Sequence, residues 1–136
     1  MQAVRTCLMF VGDQHGRARE AVDLYVSIFP NGRLDRIETY GPDDEEVEGT
    51  VKLSNFSLAG RDFMAMDSGR EHPFTFTPAM SLFVDCDRRD ELDALHSKLL
   101  EGGLELMRLA EYPFSPRFGW VLDRFGVSWQ LNLVAG

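Results

Sequence analysis

The chain has 136 residues, 44% of them hydrophobic, which suits one domain with a real core. Its formal net charge of -8 and sequence pI near 4.8 disfavour nucleic acid phosphates and anionic membrane surfaces as partners. No apolar run approaches the roughly 20 residues needed to span a bilayer, and Met1-Gln2-Ala3-Val4-Arg5 lacks the basic-then-apolar layout of a signal peptide. The expectation is a cytoplasmic protein. Its two cysteines, Cys7 and Cys86, belong to no Cys-x-x-Cys pair and read as reduced, buried small hydrophobes.

In chain order, Val4 to Val11 is β-branched and apolar and predicts a buried strand closed by Gly12-Asp13. Ala18, Ala21, Val22, Tyr25, Val26 and Phe29 fall at helical spacing, and Pro30-Asn31-Gly32 stops that helix. Arg33 to Tyr40 reads as a second strand. The acidic stretch from Gly41 to Gly49 reads as a solvated loop, followed by strands over Thr50 to Leu58 and Asp62 to Asp67 joined at Ala59-Gly60-Arg61. Ser68 to Pro78, with Gly69, Pro73 and Pro78, has the composition of a linker.

The same order then recurs. Ala79 to Asp85 is an apolar strand, and Asp87 is placed to cap a helix running to Glu101 with Leu92, Leu95 and Leu99 inward. Gly102-Gly103 ends that helix, and Leu104 to Leu109 suits an edge strand. Trp120 to Phe125 and Gly126 to Leu131 form a final hairpin turned at Arg124-Phe125-Gly126. The expected organisation is a single domain over 1–136, with one module at 1–68, a linker at 69–78 and a second module at 79–136. The repeat is one of element order, not of residues.

Two such βαβββ modules, with Leu8-Met9-Phe10, Ala21 through Pro30, Tyr40-Gly41-Pro42, Glu48-Gly49-Thr50-Val51, Phe63 through Gly69, His72 through Phe76, Ser81 through Cys86, Gly102-Gly103 and Gly119 through Leu131, resemble the PhnB-like family. This family, labelled 3-demethylubiquinone-9 3-methyltransferase-like, is a branch of the vicinal-oxygen-chelate (glyoxalase/bleomycin-resistance) superfamily. The resemblance implies an α+β fold in which the two modules form a curved mixed sheet around a central hollow. It also implies a homodimer. The methyltransferase label finds no support in a glycine-rich nucleotide loop after the first strand.

In metal-dependent members of the superfamily, the first and fourth strands of each module supply the ligands. By resemblance these positions are Thr6, Ala65 or Met66, Ala79 and Gln130, the last standing where a glutamate ligand is usual. This set has no imidazole and no carboxylate, so neither a metal nor another cofactor is expected. The neighbours Arg5, Cys7, Met80 and Trp129 do not supply a ligand set either. His15, His72 and His96 fall off the predicted ligand strands, although His72 sits in a family-like motif.

Strand alternation gives the faces. With Thr6 and Gln130 towards the hollow, Leu8, Phe10, Ser81, Phe83, Ser128 and Asn132 join them, and Trp120 is a candidate wall. Cys7, Met9, Val11, Met80, Leu82, Val84, Trp129, Leu131 and Leu133 then face the helices. The candidate ligand-binding set is Thr6, Leu8, Phe10, Ser81, Phe83, Trp120 and Gln130, apolar walls with a few hydrogen-bonding groups. Gln130 serves either an internal polar network or a bound small molecule. Asp67 is either an acid/base group or a turn former before Ser68-Gly69, and Arg117 either steers an anion or is a solvated loop residue. The sequence therefore points to a metal-independent binder of a small, partly apolar molecule. The alternative is a superfamily enzyme (lyase, isomerase or dioxygenase) whose catalytic residues the sequence does not reveal.

Overall fold

In a computed structural model, residues 1–135 are described. The chain divides into two compact units, Met1–Thr75 and the stretch from Phe76 onward. In the first unit β1 (Thr6–Phe10), α1 (Ala18–Ile28), β2 (Arg33–Thr39), β3 (Val51–Leu58) and β4 (Arg61–Asp67) build a four-stranded sheet in the order β1-β4-β3-β2. In the second, β5 (Ser81–Cys86), α2 (Arg89–Leu100), β6 (Leu104–Tyr112), β7 (Ser115–Leu122) and β8 (Ser128–Leu133) give the order β5-β8-β7-β6. The topologies are identical. Each sheet is mixed, with one parallel pair (β1 with β4, β5 with β8) and antiparallel neighbours elsewhere. The fold is α+β with two repeated modules.

Each helix lays its apolar stripe on one face of its own sheet. Ala18, Ala21, Val22 and Tyr25 of α1 are buried, with Tyr25 and Phe56 ring centroids 6.5 Å apart. Leu92, Leu95 and Leu99 of α2 are buried in the same way. Close packing fixes the exit from α1: a Cβ at Gly32 would lie 2.0 Å from the Val26 carbonyl oxygen, so only glycine fits there. The β3–β4 hairpin turns at Ala59 and Gly60, both at positive φ as a two-residue turn with matching twist requires.

Two buried aspartates organise the modules. Arg17, at the N-cap of α1, provides no side-chain cap. The cap comes instead from Asp67 at the end of β4. Its Oδ1 accepts from the Gly16 N–H at 2.9 Å and the Ala18 N–H at 3.1 Å, and its Oδ2 accepts from the Val51 N–H at 2.9 Å. The residue is 2% exposed. Asp67 is therefore neither a turn former nor a free acid/base group. In the second module Asp123 accepts from the Phe125 and Val127 N–H groups and, through Oδ2, from the Trp129 indole at 2.9 Å. The turn it holds includes Gly126 at φ 91°.

Several sequence expectations shift. α2 starts at Arg89 with Arg88 at its N-cap, so Asp87 does not cap it; Arg88 instead pairs with Asp90, and that bond holds the Asp90 carboxyl below the usual carboxylate range. β6 runs on to Tyr112, and β7 begins at Ser115, five residues before Trp120. The acidic loop is tethered: Glu46 accepts from the Gly69 N–H at 2.7 Å and Arg70 pairs with Glu45 at 3.6 Å. Cys86 is buried as expected, whereas Cys7 is exposed.

Two measurements follow from this packing. Asp67→Ala strands three backbone N–H groups and should cost on the order of 3–5 kcal/mol in urea unfolding; a loss below about 1 kcal/mol would refute the anchoring role. Burial pushes the Cys86 thiol up from 9.0 to about 11, with Glu91 adding to the effect. An acid whose folded pKa is raised contributes stability that is whole below its unfolded pKa and lost as pH climbs through the folded one. The unfolding midpoint should therefore fall between pH 9 and about 11, and Cys86→Ala should flatten that part of the profile.

Candidate functional site

The face of the second sheet turned away from α2 carries an ordered grid. Cross-strand partners share a face, and Phe83, Gln130 and Trp120 stand side by side on β5, β8 and β7. One row away lie Ser81, Ser128 and Leu122; one row the other way lie Asp85, Asn132 and Phe118. The opposite face holds Val121, Trp129 and Leu131, all buried, and Gly119, where an added Cβ would meet His96 of α2 at 3.1 Å. The expected orientation of Ser81, Phe83, Trp120, Ser128, Gln130 and Asn132 thus holds in this module, as does that of Leu82, Val84, Trp129 and Leu131. Met80 lies outside β5 and is 73% exposed, and Ala79, also outside the strand, offers no ligand position.

A polar chain runs through the grid. The Trp120 indole donates to Ser128 Oγ at 2.8 Å, Ser128 and Ser81 share a hydroxyl hydrogen bond at 2.6 Å, and Gln130 Nε2 donates to Ser81 Oγ at 3.1 Å. Two serine hydroxyl hydrogens are available and the serine–serine bond uses one. The second hydroxyl hydrogen and Gln130 Oε1 find no partner among the described residues. Below this chain, Ser115 Oγ bonds Asn132 Oδ1 and Asn132 Nδ2 donates to Asp85 at 2.9 Å, so both ends of that amide are engaged. Phe83 is 56% exposed and leans on Phe118 at 6.2 Å between centroids. Phe118 in turn sits under Tyr112 and Phe114 at 6.0 and 5.0 Å. Sequence reasoning stopped at Trp120 and missed these rings, although alternation from Trp120 back to Phe118 would have found the first.

In the first sheet the expected faces are reversed. Leu8 and Phe10 are 8% and 0% exposed, and Thr6 is in line with Phe63 and Phe56, the ring that meets Tyr25 of α1. Thr6, Leu8 and Phe10 therefore face the helix and cannot join a site on the open face. Ala65 is buried with them. Cys7 and Met9, expected against the helix, are on the open side with Met64 and Met66. Both alternation sets of β1 are apolar, so the pattern alone could not choose between them. Asp67 chooses, because its carboxylate must reach the α1 N-terminus.

The other candidates resolve individually. Arg117 lies on β7 and donates to Asp93 of α2 at 2.6 Å, so its charge is engaged. His72 bonds Ser68 Oγ at 2.9 Å and packs on Phe74; His96 sits 3.4 Å from Glu105; His15 sits 4.0 Å from Glu46. Among the described residues, no three His, Cys, Asp or Glu side chains gather where they could hold a metal ion. The residues present do not fit the divalent centre of metal-dependent superfamily members.

This architecture has close structural parallels. A glyoxalase/bleomycin resistance protein/dioxygenase domain from Frankia matches with TM-score 0.65 at 11% identity over 99% of this chain and 98% of its own, and protein PA1353 from Pseudomonas aeruginosa with TM-score 0.80 at 24% identity over 96% and 98%. The chain thus has the glyoxalase/bleomycin-resistance fold. The family model described as 3-demethylubiquinone-9 3-methyltransferase matches residues 2–132. A PhnB protein from Bacillus cereus described by the same enzyme name is 45% identical, with TM-score 0.92, over 98% of this chain and all of its own. The chain belongs to this PhnB-like family. No curated protein is significantly similar to it.

The hydrogen-bond chain makes a local prediction. Ser128→Ala leaves the half-buried Trp120 indole N–H unpaired and should cost about 1–3 kcal/mol, with a shift in tryptophan emission. Unchanged stability and emission would show that the chain is not maintained in solution.

Proposed function

We propose that the protein binds a small, partly apolar molecule on the open face of its second sheet without help from a metal. The observation that carries this reading is the row Phe83–Gln130–Trp120. It sets an exposed ring and a half-buried indole on either side of an amide whose oxygen has no partner among the described residues, beside one unspent serine hydroxyl hydrogen. Apolar walls with a few convergent polar groups are how small-molecule sites are built. Phe118 and Ser128 extend the set proposed from sequence, while Thr6, Leu8 and Phe10 leave it. A cytoplasmic, homodimeric protein remains part of this proposal. Among the described residues, no helix is long and apolar enough to cross a membrane.

Catalysis draws less support. Asp67, the one acid weighed as a base, accepts three backbone N–H bonds. The methyltransferase name of the family draws none from the topology, since each sheet has one parallel pair instead of the doubly wound parallel sheet of nucleotide-binding folds.

A thermal-shift screen of planar, partly apolar compounds, followed by tryptophan fluorescence titration, tests the proposal. A compound at 100 times its Kd should add about 2.7 kcal/mol of stability. Gln130→Leu should weaken binding on the order of tenfold, and Trp120→Ala more, with little change in the unliganded melting temperature for Gln130→Leu. Hits whose affinity ignores both substitutions would place the ligand elsewhere and overturn the assignment.

A further inference from the structure

The open face of the first sheet has a different chemistry. The chain contains six methionines and two cysteines. Three of those methionines and one cysteine meet on two adjacent strands, with Cys7 beside Met64 and Met9 beside Met66. The helix face of the same strands takes Leu8, Phe10 and Ala65, so packing against α1 does not demand sulfur here. We propose that Cys7, Met9, Met64 and Met66 form a binding site for a soft monovalent cation of the copper(I) or silver(I) type.

The register supplies the geometry. Paired residues on neighbouring strands lie about 4.8 Å apart and alternate residues about 6.6 Å apart along a strand, so four side chains rise from the corners of a small rectangle. Methionine has three rotatable side-chain bonds and a polarisable sulfur, which lets the thioethers converge. Thiolate and thioether donors select soft ions over the divalent metals that imidazole and carboxylate favour. Arg5 has the same strand parity as Cys7 and reaches Asn55, the neighbour of Met64, at 3.4 Å. On binding, the thiol would release its proton to solvent and the thiolate would offset the single positive charge of the ion, leaving a neutral cluster. No oxidation or reduction is involved. Cys86 is buried on the helix side of the other sheet and takes no part.

Titration of the whole protein with silver(I), read by native mass spectrometry, and with copper(I) under anaerobic competition against a chromophoric chelator tests the site. One equivalent should bind. Cys7→Ser should abolish tight binding, and the double variant Met9→Leu/Met66→Leu, which keeps the thiol, should weaken it about 10–100-fold. Met80→Leu, off this face, should bind as wild type does, and circular dichroism should show all variants folded. Absence of binding, equal affinity in the double variant, or loss of binding on Cys86→Ala but not on Cys7→Ser would each overturn the proposal.

Discussion

The first module depends on one buried carboxylate. The sequence offers no capping side chain at the start of α1, and a helix N-terminus leaves backbone N–H groups that water cannot reach in a packed site. Asp67 answers that need from the far end of β4, and its second oxygen holds the first residue of β3. Three segments distant in sequence therefore meet at one side chain. Its negative charge also lies where the helix dipole favours it. Asp123 does comparable work in the second module, but locally: it closes the last hairpin and fastens the buried Trp129.

The Asp67 anchor also decides which side of the first sheet is open. Once Asp67 points at the helix, Ala65 and Phe63 must follow on β4, and Thr6, Leu8 and Phe10 must follow on β1 through the parallel register. The sulfur side chains are left outward. The second sheet carries no such constraint on its parallel pair, and its polar residues take the open face while Leu82, Val84, Trp129 and Leu131 take the helix side. The two modules share a topology and present different surfaces: soft and polarisable in one, aromatic with amide and hydroxyl groups in the other.

That difference explains what was legible in the sequence. Helix α1 and the β3–β4 and β7–β8 hairpins were readable because periodicity and turn residues mark them directly, and the second-module faces were readable because Ser81, Ser128 and Gln130 alternate with large apolar residues. In β1 both alternation sets are apolar, so hydrophobicity carries no sign there. The deciding residue, Asp67, reads in sequence as an acid/base group or a turn former, since a lone aspartate before Ser68-Gly69 is usually in a turn. A cap supplied from a distant strand leaves no local signature. The same holds for α2, where Asp87 had the composition of a cap but the helix begins two residues later.

The polar chain on the second sheet bears on whether that face is merely structural. A network that existed only to satisfy itself would close, because an unpaired polar group shielded from water is costly. The lower part of the grid engages both ends of its amide: Asn132 Oδ1 accepts from Ser115 and Nδ2 donates to Asp85. The upper part does not. Trp120, Ser128, Ser81 and Gln130 form a line in which each bond fixes the next side chain, and the line ends on an amide oxygen beside the exposed Phe83 ring. Solvent can fill such an end, so its openness is affordable; what packing does not require is that three bonds orient it. An oriented acceptor between two aromatic walls supports the proposed binding of a flat molecule that carries a donor, because pre-organisation lowers the entropic cost of binding.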